Sequence, residues 1–301
     1  MTRGVQEMLP LSELAEGATA SAWCRRWRHR APSWVHTSQG GFDPRWYAVE
    51  PADENTAKAF VITHHYSGSY PSASYRYKLL DVRGPEPELV GIAVFGTPAG
   101  PSVLTASFPE LVPSVESLVC SRFVLLDACP SNSESWFLAR TLEALAAAGV
   151  RGVLSFADPV PRTDAHGARV LVGHTGVIYQ ASNALYTGRT AARTLRVLRD
   201  GTVLHERAAQ KIRRQEQGSR YAAEQLVALG APVPRAGEDM RLWLQTALET
   251  TGTRLLRHRG VHRYAFKLGR TRRERADVHL ARPVLNTTPH LPDPAHLPTG
   301  G

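Results

Sequence analysis

Cysteine is scarce: the 301 residues include three, Cys24, Cys120 and Cys129, with no CxxC spacing. That argues against a disulfide framework and a zinc ribbon. No apolar run approaches the roughly 18 residues needed to span a bilayer, so no membrane partner is expected. The opening stretch, MTRGVQEMLPLSELAEG, carries acidic residues and no apolar core, which argues against a secretory signal. Internal repeats are absent. A cytoplasmic protein is expected.

What the chain does have is unevenly placed positive charge. The formal net charge is +9, yet residues 189–282 alone hold 21 Lys or Arg against 9 Asp or Glu, a net of +12. The remainder is therefore slightly acidic. A basic segment joined to a near-neutral one points to a polyanionic partner, most simply nucleic acid. An Arg-rich proteome would produce the same excess without any partner.

The periodicities predict an α+β fold with a mixed sheet. Residues 1–44 read as an N-terminal extension, in which SAWCRRWRHR (21–30) mixes Trp with Arg. That run suits a phosphate backbone or a simple cap on the domain. A core over 45–205 starts with a strand at 45–49 and a helix signalled by Pro51-Ala52-Asp53-Glu54. Strands follow at 76–82, 89–96 and 117–126, then a strong amphipathic helix over 133–148 ended by Gly149. The strand 151–157 ends on Asp158-Pro159, and Asp200-Gly201 marks a hairpin. Residues 206–252 read as a basic helical insertion, 253–270 as strands closing the core, and 271–301 as an Arg/Pro-rich tail.

The chain is organised around residues 150–188, where a buried strand delivers a carboxylate to its C-terminal end beside His and Tyr. Together with His64-His65-Tyr66, the residues Asp158, His174 and Tyr179 form a hard nitrogen–oxygen set. Such a set suits iron or another divalent ion, or general acid–base work around an amine. The structural alternative is that His65 and Tyr66 cap a helix and Asp158 begins a turn. In the turn 129–135 (CPSNSES), Ser131 or Ser133 can cap the following helix, and free N–H groups there suit an anion. The glycines that usually close around phosphate are missing. Arg122, beside Ser121 on an otherwise apolar strand, needs an anionic partner or an exposed face. The basic run includes Arg207, Lys211, Arg213, Arg214, Arg220 and Arg263, interleaved with Tyr221, Trp243 and Tyr264. It suits a phosphate backbone or a solvated basic face.

SFADP (155–159), GHTGVIYQASN (173–183) and LYTG (185–188) resemble the signature of the Mom family, phage DNA-modification proteins on the GNAT acetyltransferase fold. His65-Tyr66, Ser121-Arg122, SNSESW (131–136) and His262-Arg263-Tyr264 agree in order. The resemblance implies a mixed, mostly antiparallel, splayed GNAT sheet flanked by helices. It also implies transfer of a carbamoylmethyl (acetamido) group to the exocyclic amine of adenine in double-stranded DNA, shielding phage DNA from host restriction. By the same resemblance, His65, Asp158 and Tyr179 would hold Fe(2+), with Tyr66 and Ser121 adding to catalysis. Arg122, Ser131, Asn132, Ser133 and Ser135 would hold the anionic part of an acyl-CoA or related activated donor. On the charge pattern, Arg207, Lys211, Arg213, Arg214 and Arg263 would grip DNA. The compartment would then be the host cytoplasm, and a second copy stays open as a partner. Here 160–172 lengthens the loop from Asp158 to Gly173-His174, adding either substrate contacts or an inert excursion. Two rivals make different predictions: a CoA-dependent N-acetyltransferase acting on a protein or small-molecule amine, and a non-catalytic DNA-binding protein.

Overall fold

A computed structural model describes residues 23–98, 100–171, 173–287 and 289. The chain divides into two units. One comprises the residues up to Ala157, Thr175–Gly188 and those from His262 on; the other comprises Asp158–His174 and Arg189–Val261.

The first unit begins with a hairpin, β1 (Trp23–Arg28) and β2 (Ala31–His36), followed by β3 (Tyr47–Pro51) and α1 (Glu54–His64). Then come β4 (Tyr75–Asp81), β5 (Glu88–Gly96), the short α2 (Ser102–Thr105), β6 (Ser117–Leu125), α3 (Ser133–Ala147) and β7 (Gly152–Ala157). The second unit contributes β8 (Arg162–Thr163) and β9 (Arg169–Leu171) before the chain returns for α4 (Val177–Ala181) and β10 (Leu185–Arg189). β11 (Arg193–Val197), β12 (Val203–Leu204), α5 (Glu206–Arg214), α6 (Ser219–Ala228), α7 (Met240–Thr250) and β13 (Arg254–His258) complete the second unit. β14 (His262–Lys267) and α8 (Arg272–Ala276) end the first.

Seven strands of the first unit form one sheet in the order β10-β14-β7-β6-β5-β4-β3. The registered neighbours run antiparallel except β6 and β7, which the crossover through α3 makes parallel. That one parallel pair is short. Ser117–Cys120 faces Gly152–Ser155, and β6 then runs on to Leu125 without its neighbour. This is the mixed, mostly antiparallel sheet of an α+β fold.

Alternation along β5 explains its cover on both faces. Ala93 and Phe95 share a core with Phe137, Leu138 and Leu145 of α3, whereas Ile92 and Val94 share one with Ala57, Phe60 and Val61 of α1. Asp53 starts α1 as read from sequence, its carboxylate accepting the Thr56 N–H at 2.9 Å. Burial pushes the Cys120 and Cys129 thiols up to about 12. In the native protein both therefore stay unreactive toward a thiol reagent at neutral pH and are released only on unfolding. Mass-resolved labelling checks this, and fast native labelling of either residue would contradict it.

Three boundaries differ from the sequence reading. Residues 23–36 are not an appendage: Trp27 packs with Ala57 and Phe60, and Arg26 is fully buried. The closing segment 253–270 divides, because β13 pairs with β11 in the second unit while only β14 joins the main sheet. The difference follows burial, since β14 is almost wholly buried and β13 mostly exposed. The proposed tail is anchored through its first part, with Arg151 Nη2 donating to Glu274 O at 2.6 Å and Ala281 N to Ser107 O at 3.1 Å. Residues 1–22 and 290–301 lie outside the described residues.

In the second unit β11 lies between β12 and β13, and β8 pairs with β9. Asp200-Gly201 forms the turn between β11 and β12, with Gly201 at φ 77. The helices α5, α6 and α7 enclose a separate core of Ile212, Leu226, Trp243 and Leu244.

Candidate active site

Where β6 and β7 part, β6 also carries a bulge. Val94 pairs with Arg122 and Phe95 with Cys120, so Ser121 is the extra residue. With β7 already diverging, residues 121–122 lie outside the β7 ladder, and Ser121 is skipped by the β5 register. Bulges beside active sites re-aim side chains in this way. The Arg122 guanidinium donates to Ser69 O at 3.0 Å, Ser69 Oγ at 2.9 Å and Ser121 O at 2.6 Å. It thereby ties the loop 67–74 to the bulge through neutral acceptors. Burial lowers its pKa, while nearby Tyr66 and Cys120 favour its charge.

Tyr179 is buried in the same unit. Gly176 makes this possible: it begins α4 at φ 83, and a Cβ there would meet the Tyr264 ring at 2.5 Å. The Tyr179 ring packs on Tyr264 at 5.4 Å and Phe266 at 6.4 Å. Tyr264 donates its hydroxyl to Thr175 O, and Gln180 Nε2 donates to Tyr264 Oη at 2.9 Å. Tyr186 continues the aromatic run, 5.3 Å from Tyr264 and with its hydroxyl 2.9 Å from His262 Nδ1. Burial raises the Tyr179 pKa well above the phenol range, and Cys120, Tyr66 and Tyr264 add to the rise. Ser155 works against it. Ser155 Oγ is itself buried without a well-formed hydrogen bond. At neutral pH Tyr179 is thus a donor, not a phenolate.

His65 follows α1 as its C-cap and is nearly buried, its Nδ1 accepting the Ser67 N–H at 3.1 Å. Its ring lies 4.2 Å from Tyr66, and Trp27 lies 5.1 Å from Tyr66. The hairpin 23–36 therefore contributes to this aromatic group, a feature sequence reasoning missed.

The turn before α3 is shaped from below. Ser131 and Ser133 are fully buried, and Ser133 Oγ donates to Pro130 O at 2.8 Å. The cap is neither serine but Asn132, in the left-handed region at φ 70. Asn132 is exposed and Ser135 half-buried, so these two side chains, not Ser131 or Ser133, are the ones open to a ligand. Arg26 fixes the turn, with Nε donating to Cys129 O at 2.9 Å and the guanidinium also reaching Pro130 O and pairing with Glu134.

Asp158 belongs to the second unit and is a hub there. Its Oδ1 accepts from the Val160 N–H at 3.0 Å and lies 2.8 Å from His258 Nε2. Gly260 N–H donates to His258 Nδ1, so Nε2 carries the proton and donates to Asp158. Arg162 Nη1 pairs with Oδ2 at 2.9 Å. Burial works to raise the Asp158 pKa, but His258, Val160 N–H and Arg162 outweigh it, leaving the carboxyl below its ordinary value. The extended loop supplies Arg162 to this hub. His258, a hundred positions away, was not singled out from the sequence. His174 N–H donates to Asp158 O at 2.7 Å, which ties the GHTG run to the same hub.

Residues 46–282 match the Mom protein family. The chain belongs to that family. No curated protein matches it. Among solved structures it is similar to one described as a phosphinothricin N-acetyltransferase, with 13% identity and a TM-score of 0.29 over 50% of this chain and 87% of that one.

Of the three residues expected from sequence to hold iron, His65 and Tyr179 lie in the first unit and Asp158 in the second. Both Asp158 oxygens are committed to internal partners, Tyr179 is held protonated, and His65 Nδ1 faces Ser67. Among the described residues no three His, Cys, Asp or Glu side chains form a ligand group.

The residues expected from sequence to contact DNA separate into two groups. Arg263 is 7% exposed and donates to Thr187 Oγ1 and O at 3.0 Å, so it is a core residue and not a phosphate contact. Charge counting cannot see burial. Arg207, Lys211, Arg213 and Arg214 all lie on α5. Arg207 pairs with Glu216 at 2.6 Å and Arg213 with Glu206, while Arg214 stands 3.9 Å from Glu216.

Proposed function

We propose that this Mom family chain modifies double-stranded DNA, adding a carbamoylmethyl group to the exocyclic amine of adenine and so protecting phage DNA from restriction. The observation that carries this reading is the family match across 46–282. The placement of Tyr179 in the same unit as the bulged Ser121-Arg122 supports it.

The adenine amine is a weak nucleophile because its lone pair is delocalised into the ring. Transfer therefore needs an activated donor that supplies the electrophilic carbon, and a group to stabilise the charge that leaves. The parted strands at 121–122 would orient the donor, with the Arg122 guanidinium favouring an anionic portion. Asn132, Ser135 and the N–H groups starting α3 offer a second anionic contact. Tyr179, kept protonated by burial, would hydrogen-bond to the donor's leaving group as its bond to carbon breaks and the new N–C bond forms, the amine's displaced proton leaving with that group. The target base must leave the stack to be reached, and the basic residues of α5 would bind DNA phosphates.

The experiment is to express the chain in a bacterium with a plasmid, digest the plasmid to nucleosides and weigh the deoxyadenosine. A rival N-acetyltransferase of proteins or small molecules, or a passive DNA-binding protein, leaves that nucleoside unchanged.

A further inference from the structure

We propose that α5, the turn 215–218 and α6 form a helix–turn–helix, with α6 reading bases in the major groove of duplex DNA through Arg220, Tyr221 and Gln225. This rests on the reading of the chain as a DNA-modifying protein and adds to it the device that chooses where on the duplex it acts.

The turn has the required build. Gln215 closes α5 at φ 54 and Gly218 opens α6 at φ 84, two left-handed residues within four positions. Glu216 N–H donates to Lys211 O at 3.0 Å and Ser219 N–H to Glu216 O at 2.9 Å, which folds the chain back at once. Two helices joined by a turn of three or four residues containing glycine are the helix–turn–helix arrangement. The inner faces are small where the helices meet. Ala209 and Ile212 of α5 share a core with Ala222, Ala223 and Leu226 of α6, backed by Trp243 and Leu244 of α7.

The outer face of α6 is what a core-packing account leaves unexplained. Arg220, Tyr221, Glu224, Gln225 and Ala228 are all exposed, and they line one side of the helix. The Arg220 side chain is 92% exposed and Tyr221 68%. A tyrosine so exposed contributes little to folding. In a DNA-reading helix, base contacts come from the N-terminal residues, where Arg220 and Tyr221 lie. Arg pairs with guanine and Gln with adenine in two-point hydrogen bonds, and a ring packs on a thymine methyl. Among the described residues Arg220 pairs with Glu224 at 2.8 Å, an exposed pair of the kind that adds little stability and is readily exchanged. Charge suits duplex DNA as well as shape does: residues 189–261 of the second unit hold 14 Lys or Arg against 7 Asp or Glu, a net of +7. On α5, Lys211 and Arg214 stand ready for the phosphates that the first helix of such a motif crosses.

The test is selection from a pool of randomised duplexes, followed by titration of the selected duplex and a scrambled one. The wild type enriches a short motif. Arg220→Ala and Gln225→Ala each relax the preference at particular positions and weaken binding to the selected duplex about 10-fold, within the span a base contact carries. Binding to the scrambled duplex changes less than about threefold by the same reasoning. Lys211→Ala, by contrast, weakens both duplexes alike and reduces the salt slope by about one. The three α6 side chains face water, so thermal unfolding of the variants stays at the wild-type midpoint. An unchanged motif in the α6 variants, or a wild type that binds DNA without preference, overturns this inference and leaves the DNA-modification reading standing. A wild type that binds no duplex overturns both.

Discussion

Replacing Arg26 by alanine lowers the free energy of unfolding by about 3–5 kcal/mol, the range for stripping one partner from a buried ion pair. The effect is large because one side chain answers several buried groups. Its guanidinium serves Cys129 O, Pro130 O and Arg25 O and pairs with Glu134, itself nearly buried. Alanine leaves that carboxylate and those carbonyls without a donor in a water-poor place. Arg26→Lys keeps the charge but loses the planar fork, so it recovers only part of the stability. Urea unfolding of the three proteins measures this. A loss below about 1 kcal/mol for alanine, the size of an ordinary surface effect, would show that the hairpin 23–36 is an appendage after all. Trimming the chain at residue 45 should be damaging for the same reason, since it removes Arg26 and Trp27 together.

Tyr179→Phe should reduce DNA modification by about 100-fold or more, the lower end of what a positioned proton donor contributes. The fold should survive, because phenylalanine keeps the packing on Tyr264 and Phe266. Asp158→Ala is a poorer probe despite its place in the family signature. It would strand the fully buried His258 and the largely buried Arg162, so a loss of activity would be mixed with damage to the second unit. Asp158→Asn, which keeps the shape and one acceptor, separates the two effects. Modification by Tyr179→Phe at the wild-type rate, measured by the rise of modified nucleoside with time, would remove Tyr179 from the chemistry.

Much of the first unit was legible because its local signals agree. Asp53 caps α1, the long apolar face of 133–147 makes α3, and the apolar runs at 117–125 and 152–157 are the central strands. The hairpin 23–36 escaped notice because its turn is His29-Arg30, both at positive φ, without the glycine or asparagine that usually marks such a turn. The closing strands were joined in one reading because nothing in Arg259-Gly260 shows that the chain there passes from one sheet to another. At the site, Tyr179 was found from its motif, whereas His258 and Arg162 became visible only through contacts to Asp158. Arg263 was misassigned for the opposite reason. Its charge is evident in sequence, but its burial against Thr187 is not.

The central claim is that this Mom family chain acts chemically on adenine in DNA. Nucleoside mass spectrometry of plasmid DNA made in its presence tests that claim most directly. The account predicts a new deoxyadenosine heavier by one carbamoylmethyl group, present with the wild type and strongly reduced with Tyr179→Phe. A full set of unmodified nucleosides from cells that contain the folded protein would contradict it.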